Sequence, residues 1–239
     1  MGAEPDIYSL ARMVFPDLTE KDGTYFASKT VPIRNSFEDD KPSAWSDQFW
    51  VRLVDQRAFT VEKRSYTALL LSTTELDDIG EPLLLAVFDR SKATARLVDV
   101  IEVRLDRECR FAPGELLDIE CTHHNSQQAY TLHRFLTVVA AASRVVPIAE
   151  VSLLNQQGVC GASFEQTLAV SSSSGQRVVA IRVKATTHPD DPRLQCKKPK
   201  LRKSIRYFSA TFVREPITGR YRTLSRELDS LATWNQRNY

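Results

Sequence analysis

The chain of 239 residues holds only eight glycines, two methionines and three tryptophans, and no apolar run approaches eighteen residues. Each shortage excludes something. Without a long apolar run, no membrane-spanning helix is expected. So few glycines leave no Gly-rich cradle, which removes the phosphate-loop and dinucleotide fingerprints. No GxSxG occurs, and the one Ser-rich run, Ser171–Ser174, ends in Gly175 and reads as a hairpin turn. The four cysteines contain no CxxC pair, so the spacing of a structural zinc site is missing. The opening "MGAEPDIYSL" lacks the basic start and apolar stretch of a secretory signal. No catalytic nucleophile, metal or cofactor is expected on these grounds.

What is present suits a packed globular protein, with 42% hydrophobic and 26% charged residues. The net charge of +2 conceals an asymmetry. Residues 1–120 carry 15 basic and 23 acidic side chains, whereas residues 121–239 carry 17 basic and 7 acidic. Much of the excess lies in "RLQCKKPKLRKSIR", where seven of fourteen residues are Lys or Arg. Lys197, Lys198, Lys200, Arg202 and Lys203 are therefore a candidate ligand-binding run for a polyanion. The plainer alternative is a solvated loop. The expected partner is a protein or an anionic polymer, and nucleic acid is not expected.

Cys109 and Cys121 flank "RFAPGELLDIE", whose Pro113-Gly114 is a strong turn signal. A turn there returns the flanking strands alongside each other, within reach of a disulfide. Cys160 and Cys196 would then form a second bridge. Two bridges place the protein in an oxidising compartment, periplasmic or secreted. Four reduced cysteines in a cytoplasmic protein are the alternative.

"RLVDVIEVRL" (Arg96–Leu105) is echoed 48 residues later by "RVVPIAEVSL" (Arg144–Leu153), and Arg177-Val178-Val179 begins a third copy. Each copy follows another strand-favouring run and a short polar turn. The units are "PLLLAVFD" with "TARLVDVIEVRL", "AYTLHRFLTVV" with "RVVPIAEVSL", "SFEQTLAVS" with "QRVVAIRVKA", and "IRYFSATFVRE" with "RYRTL". Strand, turn and strand repeated in this way describe β-hairpins. "QFWVRLVD" and "SYTALLLST" add two strands upstream, with Trp50 expected in the core. Helices belong at the ends. "DIYSLARMVFP" puts Ile7, Leu10, Ala11 and Val14 on one face before Pro16. "RTLSRELDSLATWNQ" spaces Leu224, Leu228 and Leu231 as a stripe, with Thr223 or Ser225 as N-cap.

The expected fold is therefore mainly β, an antiparallel meander of hairpins forming a sandwich or barrel, with a short helix packed at each end. A small β-propeller is the alternative, because blades repeat at a similar period. The organisation expected is a single domain over 1–239, with an N-terminal helix at 5–15, a β core at 48–214 and a C-terminal helix at 223–236.

The most unusual polar stretch is "IECTHHNSQQAY". Glu120, His123, His124 and Asn125 form a possible polar site, since imidazole beside carboxylate can shuttle protons or bind zinc. Strand alternation would send His123 and His124 to opposite faces, which favours a structural role. Two functions follow from this reading. The first is a non-enzymatic binding module of the bacterial cell envelope or exterior, contacting a polymer or protein through its loops. The second is a hydrolase with a site near His123 and His124.

Overall fold

The computed structural model describes residues 6–35, 44, 48–74, 83–103, 108–124, 128–156, 163–188 and 203–238. In chain order the elements are α1 (Ile7–Val14), β1 (Thr19–Lys21), β2 (Thr24–Ala27), β3 (Arg34–Asn35), β4 (Phe49–Val61), β5 (Arg64–Thr74), β6 (Leu83–Asp89) and β7 (Arg96–Val103). They continue as β8 (Cys109–Phe111), β9 (Leu117–His124), β10 (Gln128–Val139), β11 (Arg144–Gln156), β12 (Ser163–Ser172), β13 (Val178–His188), β14 (Ser204–Arg214), β15 (Tyr221–Arg222) and α2 (Glu227–Asn238). Among the described residues the strands form two sheets, ordered β1-β2-β4-β5-β6-β7-β3 and β15-β14-β13-β12-β11-β10-β9-β8. The class is mainly β and antiparallel, with one sheet curled like a half-barrel and short helices at both ends. Sheets of this width leave no four-stranded propeller blades. All four expected hairpins are neighbouring strand pairs: β6 with β7, β10 with β11, β12 with β13, and β14 with β15.

Contacts divide the chain into two compact units, residues 1–119 with 135–147, and residues 120–134 with 148–239. In the first unit, α1 is capped by the Asp6 carboxylate, which accepts from the Tyr8 N–H, and it ends just before Pro16. Its buried face, Leu10, Ala11 and Val14, packs with Phe15 against Phe49, Val51, Leu69, Leu71, Leu84, Ala86 and Phe88. These sheet residues alternate along β4, β5 and β6, as the pleat requires. The intervening Ala68, Leu70, Leu85 and Val87 are fully buried as well. That explains the uninterrupted apolar runs "TALLL" and "LLLAVF": both faces of these strands are covered.

β4 carries a correction. Phe49 and Val51 point inward, so Trp50 points outward and is 42% exposed, resting edge-on against Phe26. The expected burial of Trp50 fails because the pleat gives the core position to its neighbour. The β region is also wider than 48–214, since β1 to β3 precede it and β15 follows it.

Within this unit the two sheets are joined along two seams by side chains that bind backbone. At the first, Asp99 of β7 accepts from Arg34 of β3 and from the Val145 N–H of β11 (2.8 Å). Arg34 Nη2 in turn donates to the Val145 carbonyl (3.0 Å). An Arg–Asp pair thus supplies both bonds that a neighbouring strand would have offered. Two residues on, Pro147 has no N–H, and its nitrogen falls on this same side of β11, where no ladder bond is needed. At the second seam a register shift between Leu53 and Asp55 re-aims β4. Asp55 then accepts from the Phe111 N–H (2.7 Å), while Arg57 donates to the carbonyls of Ala112 and Gly114.

β8 is fastened covalently. Cys109 and Cys121 are disulfide-bonded, as the Pro113-Gly114 turn between them suggested. Closing so short a loop contributes about 2–3 kcal/mol in the chain-entropy model. Cys160 and Cys196 lie outside the described residues.

In the second unit, β12, β13 and β14 pair over their whole lengths, from Ser163↔His188 to Ser172↔Val179 and from Val178↔Val213 to Thr187↔Ser204. One face carries Phe164, Ile181, Val183, Phe208, Ala210 and Phe212, all buried. α2 packs against this unit's sheet, with Leu231 buried and Trp234 edge-on to Phe164 at 5.2 Å. It begins at Glu227, later than 223, where the Ser225 hydroxyl accepts from the Glu227 N–H (3.2 Å). Leu224 therefore lies outside the helix and is fully exposed, so the expected stripe shortens to Leu228 and Leu231.

Candidate functional site

The two sequence-derived sites fare differently. Of the polar group, Glu120 and His123 both lie in β9 and are half-buried. Three residues apart on a strand, they point to opposite faces and do not converge. His123 Nδ1 is buried with no hydrogen-bond partner among the described residues. His124 continues the same strand, its side chain outside the described residues, as is Asn125. Among the described residues no group of three or more His, Cys, Asp and Glu is placed to hold a metal. Of the basic run, Lys197, Lys198, Lys200 and Arg202 lie outside the described residues. Lys203 is described, exposed, and stands immediately before β14.

What the structure adds is the surface that Lys203 leads into. In β13, "VVAIRVKA" buries Val179, Ile181, Val183 and Ala185, which turns Arg182 and Lys184 outward. In β14, "IRYFSATFV" buries Phe208, Ala210 and Phe212, which turns Ile205, Tyr207 and Val213 outward. The register sets Lys184 opposite Tyr207, Arg182 opposite Ser209 and Thr186 opposite Ile205. Directly opposed side chains on one face have Cβ atoms about 5 Å apart. Tyr207 is 61% exposed and Ile205 48%, far more than a ring or a β-branched side chain retains in a core.

The charges on this surface are uncompensated. Several cations elsewhere are engaged: Arg34 with Asp99, Arg134 with Glu150 at 2.8 Å, Arg222 with Glu215, and Arg57 with two carbonyls. Arg182, Lys184 and Lys203 are exposed and make no ion pair or side-chain hydrogen bond among the described residues; Arg206, also exposed, falls on the opposite face of β14. The acid on this face, Glu165, lies one strand further along and faces His188 at 3.3 Å. Exposed like charges cost little in water, where they are screened over about 8 Å at physiological ionic strength. They gain when an anion lies across them. A flat aromatic beside them supplies contact area at a small entropy cost.

Arg182, Lys184 and Tyr207 were not singled out from the sequence, although the signal was present. Each occupies a polar-face position in a strand whose alternate residues are plainly core.

The chain matches no protein-family model and no curated protein by sequence. The class is set by the fold: an all-β chain with a disulfide and an exposed basic-aromatic strand face.

Proposed function

We propose that the protein is a non-catalytic binding module that receives an anionic macromolecule on the outer face of β13 and β14. One observation carries the reading: three cations without an ion pair among the described residues, Arg182, Lys184 and Lys203, lie on the same face as the exposed ring of Tyr207. The rigid ladder of three long strands holds them in register without cost at the moment of binding. The Cys109–Cys121 disulfide supports a site of action in an oxidising compartment, the cell envelope or exterior of a bacterium.

Heparin serves as a polyanion probe. The protein should be retained on a heparin resin and released by salt. Replacing Arg182, Lys184 and Lys203 together with Gln should bring elution to roughly half the salt concentration, because each lost charge removes a screened attraction. These side chains are exposed, so stability should change by less than about 0.5 kcal/mol. Unchanged elution would assign the cations to solvation alone.

A further inference from the structure

We propose that the free edge of β14 at Ile205–Tyr207 takes up an acidic, extended polypeptide segment as an added strand, which specifies the anionic partner and so rests on the binding reading above. The hydrogen-bonding direction of β14 is fixed by its neighbours. The Arg214 N–H donates to the Arg177 carbonyl on the β13 side, at 2.9 Å. Because β14 pairs with β13 without slippage, Phe212, Ala210, Phe208 and Arg206 also bond toward β13. The odd-numbered residues point their N–H and carbonyl groups the other way.

That other side is filled unevenly. β15 covers only Val213 and Arg214. At Ser209 side chains take over, with the N–H donating to the Glu227 carboxylate and the carbonyl accepting from the Ser225 hydroxyl. Such side-chain plugs are a common protection of a sheet edge. Beyond Ser209 the plug stops. The backbone groups of Ile205 and Tyr207 have no partner among the described residues, and both side chains stand exposed. Four outward backbone groups in a row, next to an exposed aliphatic and an exposed aromatic side chain, are what an added strand needs. Its hydrogen bonds would supply affinity, and its alternate side chains would lie beside Ile205 and Tyr207.

Charge selects the partner. Lys203 stands two residues before the open segment, Lys184 lies across the ladder from Tyr207, and Arg182 lies one step beyond. A segment that alternates acidic and apolar residues satisfies both features, whereas a basic strand is repelled. The Glu227 plug would also repel an acidic strand extending past Ser209, so the added strand ends there.

The test uses the whole protein with two labelled eight-residue peptides, one alternating Glu and Val and one of Glu alone. Ile205→Pro removes an outward N–H while leaving the β13 ladder untouched, a change that edge strands tolerate. The alternating peptide should bind about tenfold more tightly than the Glu-only peptide, and Ile205→Pro should abolish that advantage. The same variant keeps Arg182, Lys184, Lys203 and the Tyr207 ring and should elute from heparin as the parent does, so failure of strand addition and failure of the polyanion reading give different results. Equal binding of the two peptides, or no binding of either, overturns the proposal. So does full retention of binding by Ile205→Pro. Should that variant not fold, amide hydrogen exchange on the parent protein decides the matter. Saturating alternating peptide should slow exchange at Ile205 and Tyr207 about tenfold, and unchanged exchange at both overturns strand addition.

Discussion

Replacing Asn235 with Ala is expected to destabilise the second unit by about 3 kcal/mol, because two buried hydrogen-bonding groups lose their partner at once. Asn235 is fully buried on α2. Its Oδ1 accepts from Gln166 Nε2 (2.6 Å) and its Nδ2 donates to the Ser152 carbonyl (2.8 Å). Gln166 Oε1 is itself engaged, accepting from the Leu154 N–H at 2.9 Å. The chain of amides therefore ties α2 to β12 and to β11, and each link is satisfied only because the next is. Truncation strands Gln166 and Ser152 and leaves a small void as well. Trp234 sits on the same helix against Phe164, so its fluorescence in urea reports this unit directly. A shift in midpoint equivalent to less than about 0.5 kcal/mol would show that water replaces the amide without penalty.

Asp99→Ala is expected to cost a similar amount, about 3 kcal/mol, in the first unit. Its side chain is only 10% exposed, and it neutralises Arg34 while holding the Val145 N–H. Removing one partner of a largely buried pair leaves the other charge uncompensated, which is what makes such losses large. Arg34 retains some exposure, which keeps the figure near the lower end of that range. A double-mutant cycle with Arg34→Ala separates the pair from the strand contact. The coupling should exceed about 1 kcal/mol if the two act as one clasp. Additive losses would mean that each binds Val145 independently.

The same clasp gives the repeated sequence its meaning. "RLVDVIEVRL" and "RVVPIAEVSL" are not merely alike: they are the two strands that meet at this seam. Where the first has Asp99, which accepts from the Val145 N–H of the second, the second has Pro147.

The hairpins were legible because each combines alternation with a polar turn, and those features act locally. Local turn chemistry also explains two omissions. β4 continues to Val61 and turns at Glu62 and Lys63, both with positive φ (50° and 65°), residues that carry none of the usual Gly or Asn signal. β1 and β2 do turn at Asp22-Gly23, the usual pair, but three- and four-residue strands show too little alternation to stand out. α2 starts at Glu227, beyond both Thr223 and Ser225, between which the sequence leaves the choice of cap open. The seams were not legible at all. They join residues between 46 and 111 positions apart through side chains that bind main chain, and no periodicity encodes that.

The candidate surface lies between these cases. The basic run was visible as composition, whereas Arg182, Lys184 and Tyr207 gain significance only from the register that sets them side by side. Glu120 and His123, three residues apart in a polar stretch, are placed on opposite faces by the pleat of β9.

The most direct test of the binding reading is an amide chemical-shift map of the protein titrated with a short heparin fragment. The largest changes should fall on Arg182, Lys184, Lys203 and Tyr207, and should fade as salt is raised, because screening shortens the reach of exposed charges. Changes centred on His123 and its neighbours in β9, or confined to residues of the first unit, would contradict the account.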